Sequence, residues 1–330
     1  MRIFISSCIA LAIITPAAVS SAEPNNKERT FIIEERILLK NLPKETKGLQ
    51  VWVPYPVNDN CQTIEDFKLD GPFSAKVIED REYGNKALYL NHAGALDLDK
   101  DSLEISVSFK VDRRECDFSD SPKTSGMLLS RLLKADRLVP VNGKIKKLAG
   151  GITQGKEGDM AKVRAIYDYI IDELVYSKDD PKICGIGDSL LTLEHKKGIC
   201  SDYHSLFISL VRSIGIPAKF EIGLPVPQDK ASGDIKGYHC WAKFYLKDKG
   251  WIPVDVSEAD KHPQRRDYFF GHIDENRVHL TTGRDINLKY SRGAGGRSLN
   301  FFVWPYAELN GSRFSDVEIQ MSFKNLKGGG

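Results

Sequence analysis

Hydrophobic and polar positions fall into three regimes along the chain. From residue 30 to residue 118 the apolar residues come in short runs broken by Pro, Gly, Asn and Asp: Thr30–Lys40, Leu49–Val57, Gln62–Leu69, Ala75–Glu79, Ala87–Asn91 and Ser102–Val111. Each has the length and the flanking turn residues of a strand. In the last run Leu103, Ile105, Val107, Phe109 and Val111 alternate with polar residues, the period of a sheet with one wet face. The spacing predicts a β-sandwich of about 90 residues.

The period then changes to that of a helix. Met127–Leu138 reads as helical, Val139–Gly158 as a connection punctuated by Pro and Gly, and Asp159 as the cap of a helix reaching Val175. Met160, Val163, Tyr167, Ile170, Ile171 and Leu174 line one face of that helix. Residues 176–199 read as a long loop, with a short helical attempt at Leu190–Glu194. After Gly198 and Cys200, apolar residues recur at Tyr203, Leu206, Phe207, Leu210, Val211 and Ile214, and Gly215 with Pro217 ends the pattern. Gln228–Gly237 is polar and reads as a rim loop.

A β regime closes the chain. Tyr238–Leu246 and Trp251–Asp255, joined by a turn at Lys247–Gly250, read as a hairpin. Val278–Thr282, Asp285–Leu288, Leu299–Tyr306 and Val317–Phe323 follow as candidate strands, Gly293–Gly296 as a turn, and the terminal glycines as a tail. The fold class expected is therefore α+β.

The helix start and the hairpin carry the candidate chemistry. Cys200 falls in the first helical turn, where unpaired N–H groups and the helix dipole favour a thiolate. Period two places His239 and Trp241 on one face of their strand, and Trp251, Pro253 and Asp255 on one face of the return strand. Closing the hairpin brings Asp255 near His239. Thiol, imidazole and carboxylate in this arrangement are what thiol-based nucleophilic catalysis needs: a nucleophile, its base and the group that orients the base. The Cys200 N–H is one expected oxyanion donor, and the Cys184–Asp188 loop is the place to look for a second.

These segments resemble the transglutaminase-like superfamily of papain-like thiol enzymes, in its bacterial exported branch. The resemblance rests on Gly198-x-Cys200 with a helix ending in Arg212-Ser-Ile-Gly-Ile-Pro-Ala, on Tyr238-His239-Cys240-Trp241, and on Gly250-Trp251-Ile-Pro-Val-Asp255. It covers roughly residues 160–290, from one helix start to the last core strands. It implies a core of helices packed on an antiparallel sheet, with Cys200 as nucleophile, His239 as base and Asp255 as orienter. The organisation expected is a signal peptide at 1–22, the β-sandwich at 23–120, the catalytic core at 121–296, and C-terminal strands and tail at 297–330. The activity implied is acyl transfer on amide bonds, as a cysteine peptidase or amidase acting on a peptide or protein, without cofactor or metal. A protein-crosslinking transglutaminase and a non-catalytic binding module are the alternatives. Lys219 stands where many relatives carry Arg, and the paired acidic clusters of calcium-dependent crosslinking members are missing.

The remaining composition narrows the setting. A formal net charge of +2 from 47 Lys+Arg and 45 Asp+Glu gives no reason to expect nucleic acid or an anionic surface as partner. Met1-Arg2, the apolar Ile3–Val19 and Ser20-Ser21-Ala22 read as a secretory signal peptide, which predicts a periplasmic or secreted protein. No other stretch is long and apolar enough for a membrane span. Beyond Cys8 the cysteines are Cys61, Cys116, Cys184, Cys200 and Cys240, an odd number that leaves a thiol unpaired in an oxidising compartment. Cys61 and Cys116 are a candidate pair. Cys240, on the opposite face from His239, reads as a small buried residue. A rival zinc reading would use Cys200, His204 and His195, but the ligand set is incomplete. His204 reads instead as a packing histidine, Asp202 as a helix N-terminal acid, and His92, His262, His272 and His279 as ordinary.

Overall fold

The computed structural model describes residues 27–326, apart from 73, 93–95, 98–100, 119–123, 125 and 289–297. The expected signal peptide, the Gly293–Gly296 turn and the terminal glycines lie outside the described residues.

Alternation builds two five-stranded antiparallel sheets. In Glu28–Leu39 the inward positions are Phe31, Ile33, Glu35, Ile37 and Leu39, and in Leu103–Arg114 they run from Leu103 to Arg113 at every second residue. These strands pair from Glu28 with Arg114 to Leu39 with Leu103. Val317–Asn325 adds to the other side of Glu28–Leu39, and Gln62–Asp70 adds beyond Leu103–Arg114. The second sheet runs Ser312–Phe314, Tyr306–Leu309, Leu49–Tyr55, Lys86–His92, Ala75–Glu79. Val51, Val53, Leu88 and Leu90 share one buried core with Phe31, Ile33, Ile105 and Phe109, so the sheets pack face to face. The C-terminal strands thus complete both sheets of the N-terminal module.

The remaining core is helices on a four-stranded antiparallel sheet, in the order Gly250–Val254, His239–Leu246, Ala218–Pro225, Arg277–Thr282. Helix Cys200–Ser213 lies on it, buried from Cys200 to Arg212, with the Phe207 and Phe244 rings 6.4 Å apart. Helices Gly143–Thr153 and Asp159–Glu173 flank the central helix. The first of these lies inside the expected connection. Its apolar stripe is thin, with only Ile145 and Ala149 buried, and Gly150-Gly151 disguised it. Helix Gly126–Arg131 is shorter than expected, and Arg212 fills the space beyond it. The Arg212 guanidinium donates to the carbonyls of Ala218 (2.8 Å) and Lys134 (2.8 Å) and to the Asp136 carboxylate (2.6 Å).

Two further expectations shift. Ser232–Asp234, inside the expected rim loop, pairs with Val317–Asn325 and ties the helical half to the sandwich. The candidate strand at 299–306 becomes Tyr306–Leu309, while Ile286 and Leu299 form only an isolated bridge.

Candidate active site

The site begins at a helix start that the sequence builds carefully. Ile199 caps Cys200–Ser213, and Asp202 folds its carboxylate back onto the Ile199 N–H at 2.8 Å. The same carboxylate accepts from Gly185 N–H at 2.6 Å and Gly187 N–H at 2.7 Å. Asp202 is therefore more than a helix-dipole acid: it fastens the Cys184–Asp188 loop to the turn that carries Cys200. A methyl group on Gly198 would overlap the Asp202 side chain, which explains the glycine two residues before the cysteine. With the Gly185 and Gly187 amides committed to Asp202, neither supplies the second oxyanion donor expected of that loop.

Cys200, His239 and Asp255 come together at this turn. His239 Nε2 lies 2.6 Å from Asp255 Oδ2, and Cys200 lies close enough to His239 for the imidazolium to lower the thiol's pKa. With Nε2 committed to the carboxylate, Nδ1 is the ring nitrogen left for sulfur. Asp255 is also the cap of helix Val256–Lys261: its Oδ1 accepts from the Glu258 N–H at 3.0 Å and the Ser257 hydroxyl at 3.1 Å. A carboxylate fixed on three sides orients the imidazole rigidly. Cys200, His239 and Asp255 are 2%, 5% and 1% exposed, so the sulfur lies covered rather than in an open groove. The Tyr176 and Tyr238 hydroxyls sit near enough to feel its charge.

The electrostatics favour an ion pair. The neighbouring Cys240 thiol lowers the Cys200 thiol well below its ordinary range; burial opposes this, and the His239 imidazolium adds to it. Burial alone would lower His239, but the Asp255 carboxylate outweighs it and raises the ring to about 9. Burial would raise Asp255, yet His239, His204 and Arg277 hold it well below the carboxylate range. The Cys200 and His239 shifts both run in the direction that favours a thiolate beside an imidazolium.

Two residues read as bland from sequence lie against the pair. The opposite-face placement of Cys240 holds, but that face is the one meeting helix Cys200–Ser213, where its sulfur lies 3.8 Å from His204 Nδ1. His204, fully buried, has Nδ1 2.7 Å from the Cys200 carbonyl, while Nε2 accepts from the Val256 N–H at 3.0 Å. Both ring nitrogens are thus taken by backbone groups. His195 is exposed at the end of its helix. The Cys200–His204–His195 zinc set is not assembled. Ligand atoms of His239, Asp255 and Glu258 lie within 4.8 Å of one another and could in principle hold a cation. Lys261, His262 and Arg277 already pair with Glu258, and Arg277 approaches Asp255 at 4.0 Å, so positive charge is in place there.

Behind the site the sandwich contributes a brace. Cys61 and Cys116 form a disulfide with Cα atoms 5.5 Å apart, while Cys184, Cys200 and Cys240 are free thiols. The disulfide packs with Ile273 on Trp241, whose ring stacks 6.4 Å from His239. Trp241 Nε1 donates to Glu221 at 2.7 Å, and Lys219 and Lys243 flank that buried carboxylate at 2.6 and 3.2 Å. His279, expected to be ordinary, bonds Asp59 at 3.0 Å and Thr282 at 3.1 Å, and Gln62 clamps its backbone at 2.8 and 2.9 Å. Partners at such sequence separations left no trace in local pattern.

Comparison with known proteins bears on the fold. Residues 146–256 match the transglutaminase-like superfamily. A crystal structure of a "putative cysteine protease" from Cytophaga hutchinsonii shares the fold, with a TM-score of 0.60 over 91% of this chain and 92% of that one at 16% identity. The periplasmic domain of TgpA from Pseudomonas aeruginosa aligns over 72% of this chain and 92% of its own at 15% identity, with a TM-score of 0.36 too slight to bear on function. An uncharacterized protein of Haemophilus influenzae is 26% identical over 87% of this chain and 88% of its own length. The likeness in fold to the Cytophaga hutchinsonii structure therefore extends well beyond the matched segment.

Proposed function

We propose that this protein is an exported thiol hydrolase that cleaves amide bonds through a thioester on Cys200. The observation that supports the reading is the buried His239–Asp255 pair, Nε2 to Oδ2 at 2.6 Å, beside a helix-start thiol whose pKa its charge lowers. The Cys200 thiolate attacks the amide carbon, and the developing oxyanion meets the Cys200 N–H. The C–N bond breaks as the His239 imidazolium gives its proton to the leaving amine. Neutral His239 then takes a proton from water, which attacks the thioester and releases the carboxylic acid and the thiolate. Asp255 stays ionised and holds Nε2–H throughout. A lysine amine in place of water would make the same site a crosslinking enzyme. Hydrolysis is favoured because the sulfur is covered, and water reaches a covered thioester more readily than a protein-borne amine does. Export rests on the N-terminal sequence, and no described helix is long and apolar enough to cross a membrane.

The burial of Cys200 favours one competing reading, a binding module that keeps the fold without turnover. Labelling with an activity-based thiol probe, followed by product mass spectrometry on a peptide library, separates the two. Hydrolysis products that vanish in both Cys200→Ala and His239→Ala, each still folded, support the enzyme. Full turnover by Cys200→Ala refutes the nucleophile, and no product or label at all supports the binding module.

A further inference from the structure

One buried imidazole joins the two helix starts of the site. Asp255 caps helix Val256–Lys261 by accepting from the Glu258 N–H and the Ser257 hydroxyl. The N–H of Val256, the first helical residue, has no partner within its own helix, and the residue is fully buried. His204, on helix Cys200–Ser213, supplies the partner: its Nε2 lies 3.0 Å from the Val256 nitrogen. A backbone N–H only donates, so Nε2 is the acceptor and carries no proton. The ring proton therefore sits on Nδ1, 2.7 Å from the Cys200 carbonyl oxygen that accepts it. The ring is completely buried, and burial lowers its pKa, in keeping with the neutral form.

We propose that His204 is a positioning residue of the site: its ring ties the main chain of Cys200 to the main chain that follows Asp255, and so fixes the thiol's turn against the His239–Asp255 pair. The inference rests on the thiol chemistry proposed above. Thiol and carboxylate come to His239 from separate elements, and the 2.6 Å bond between His239 and Asp255 fixes only the carboxylate side. His204 fixes the other side. Its two hydrogen bonds have opposite sense, one accepted and one donated, so only a neutral ring in one tautomer satisfies both. The His204 and His239 rings stand edge to face at 6.5 Å, and Cys240 Sγ closes the remaining side of Nδ1 at 3.8 Å.

Two amides separate this tie from the mere filling of space. Gln at position 204 brings its side-chain carbonyl oxygen to the reach of Nε2 and accepts from the Val256 N–H. Asn carries its N–H at the reach of Nδ1, keeps the bond to the Cys200 carbonyl and stops short of Val256. The link between the two helix starts therefore survives in His204→Gln and is cut in His204→Asn, while both variants remain polar and uncharged. A nucleophile turn displaced by about 1 Å loses about 100-fold in rate.

The experiment is acylation of Cys200 in the full chain by p-nitrophenyl acetate. The sulfur–carbon bond forms as the ester C–O bond breaks, and p-nitrophenolate leaves with that electron pair. Its release times the step, mass spectrometry of the Cys200 peptide locates the acetyl group, and the low-field NMR signal of the His239 proton shared with Asp255 is the second readout. His204→Asn is expected to acylate about 100-fold more slowly and to shift that signal, and His204→Gln to recover most of the rate. An Asn variant that is folded by circular dichroism and acylates at the wild-type rate overturns the proposal, as does a folded Gln variant as slow as the Asn one. If the Asn variant fails to fold, nitrogen NMR of the wild type decides. An unprotonated His204 Nε2 coupled across the hydrogen bond to the Val256 nitrogen supports the tie, and a protonated Nε2 overturns it. The wild type keeps the two claims apart: no acetyl group on its Cys200 refutes the nucleophile and the role of His204 with it, whereas acylation at Cys200 that is indifferent to residue 204 refutes only the role of His204.

Discussion

Replacing Asp255 by Asn separates its two jobs. Asn keeps an oxygen that can accept from the Glu258 N–H and the Ser257 hydroxyl, where Asp255 Oδ1 now does at 3.0 and 3.1 Å. Helix Val256–Lys261 should therefore stay capped, at a cost of at most about 1 kcal/mol. Toward His239 the change is severe. The amide turns an N–H donor to Nε2, so Nε2 must accept and the ring proton moves to Nδ1, facing sulfur in the wrong tautomer. The charge is lost as well. His239 stands at about 9 beside Asp255, against an ordinary imidazole near 6.5. The difference corresponds to a preference for the imidazolium of about 3 kcal/mol, most of which the neutral amide removes. The amide-bond cleavage rate should fall by about 10⁴-fold, as expected when a triad carboxylate becomes an amide. The basic limb of the pH profile should move from near 9 toward the ordinary histidine range. Paired measurements of peptide hydrolysis and urea unfolding read both effects. An Asn variant that keeps the wild-type basic limb refutes the reasoning, as does one that unfolds as readily as Asp255→Ala.

Three other perturbations follow from buried groups. Glu35 is 6% exposed in the sandwich core, one of its carboxylate oxygens has no hydrogen-bond partner, and burial raises its pKa to about 8. Its folded value lies above an unfolded one near 4.3, so its contribution is complete below about pH 4 and is lost as pH rises toward 8; Glu35→Gln should raise stability at pH 7 by up to about 3 kcal/mol. Urea titrations of both proteins at pH 4 and pH 7 test this, and an equal difference at the two pH values contradicts it. Asp202→Ala strands three backbone donors under the nucleophile turn, and should cost about 3 kcal/mol or more in unfolding free energy; a loss under 1 kcal/mol would mean that water replaces the carboxylate. Reducing the Cys61–Cys116 bridge, which closes a separation of 55 residues, should cost about 2–4 kcal/mol. It should also loosen Trp241 behind His239, seen as a change in tryptophan fluorescence; an unaltered spectrum and melting temperature argue against the brace.

How far the fold was legible depended on whether its cause was local. The sandwich strands showed themselves because Leu103 to Val111 alternate without interruption, and the central helix because its apolar residues keep the helical period to Ile214. Helix Gly143–Thr153 was hidden by its two glycines and by a stripe of only two buried residues. Ser232–Asp234 was hidden because its pairing partner lies at the far end of the chain. At the site, hairpin register sufficed to bring His239 toward Asp255. It could not reveal what a given strand face packs against. Cys240 was correctly turned away from His239, yet which element covers that face is a tertiary fact, and the element is the helix that begins at Cys200. Asp202 misled for a similar reason, since its Gly185 and Gly187 partners become neighbours only when a loop without periodicity folds over the helix start.

The account turns on Cys200 being an anion at neutral pH while the other free thiols are not. Alkylation by limiting iodoacetamide at pH 6, with Cys184, Cys200 and Cys240 quantified separately by peptide mass spectrometry, tests this directly. The account predicts rapid modification at Cys200 alone, with Cys184 and Cys240, both raised by burial, left unmodified. A Cys200 that reacts no faster than Cys184, and gains speed only as pH passes the ordinary thiol range, would contradict it.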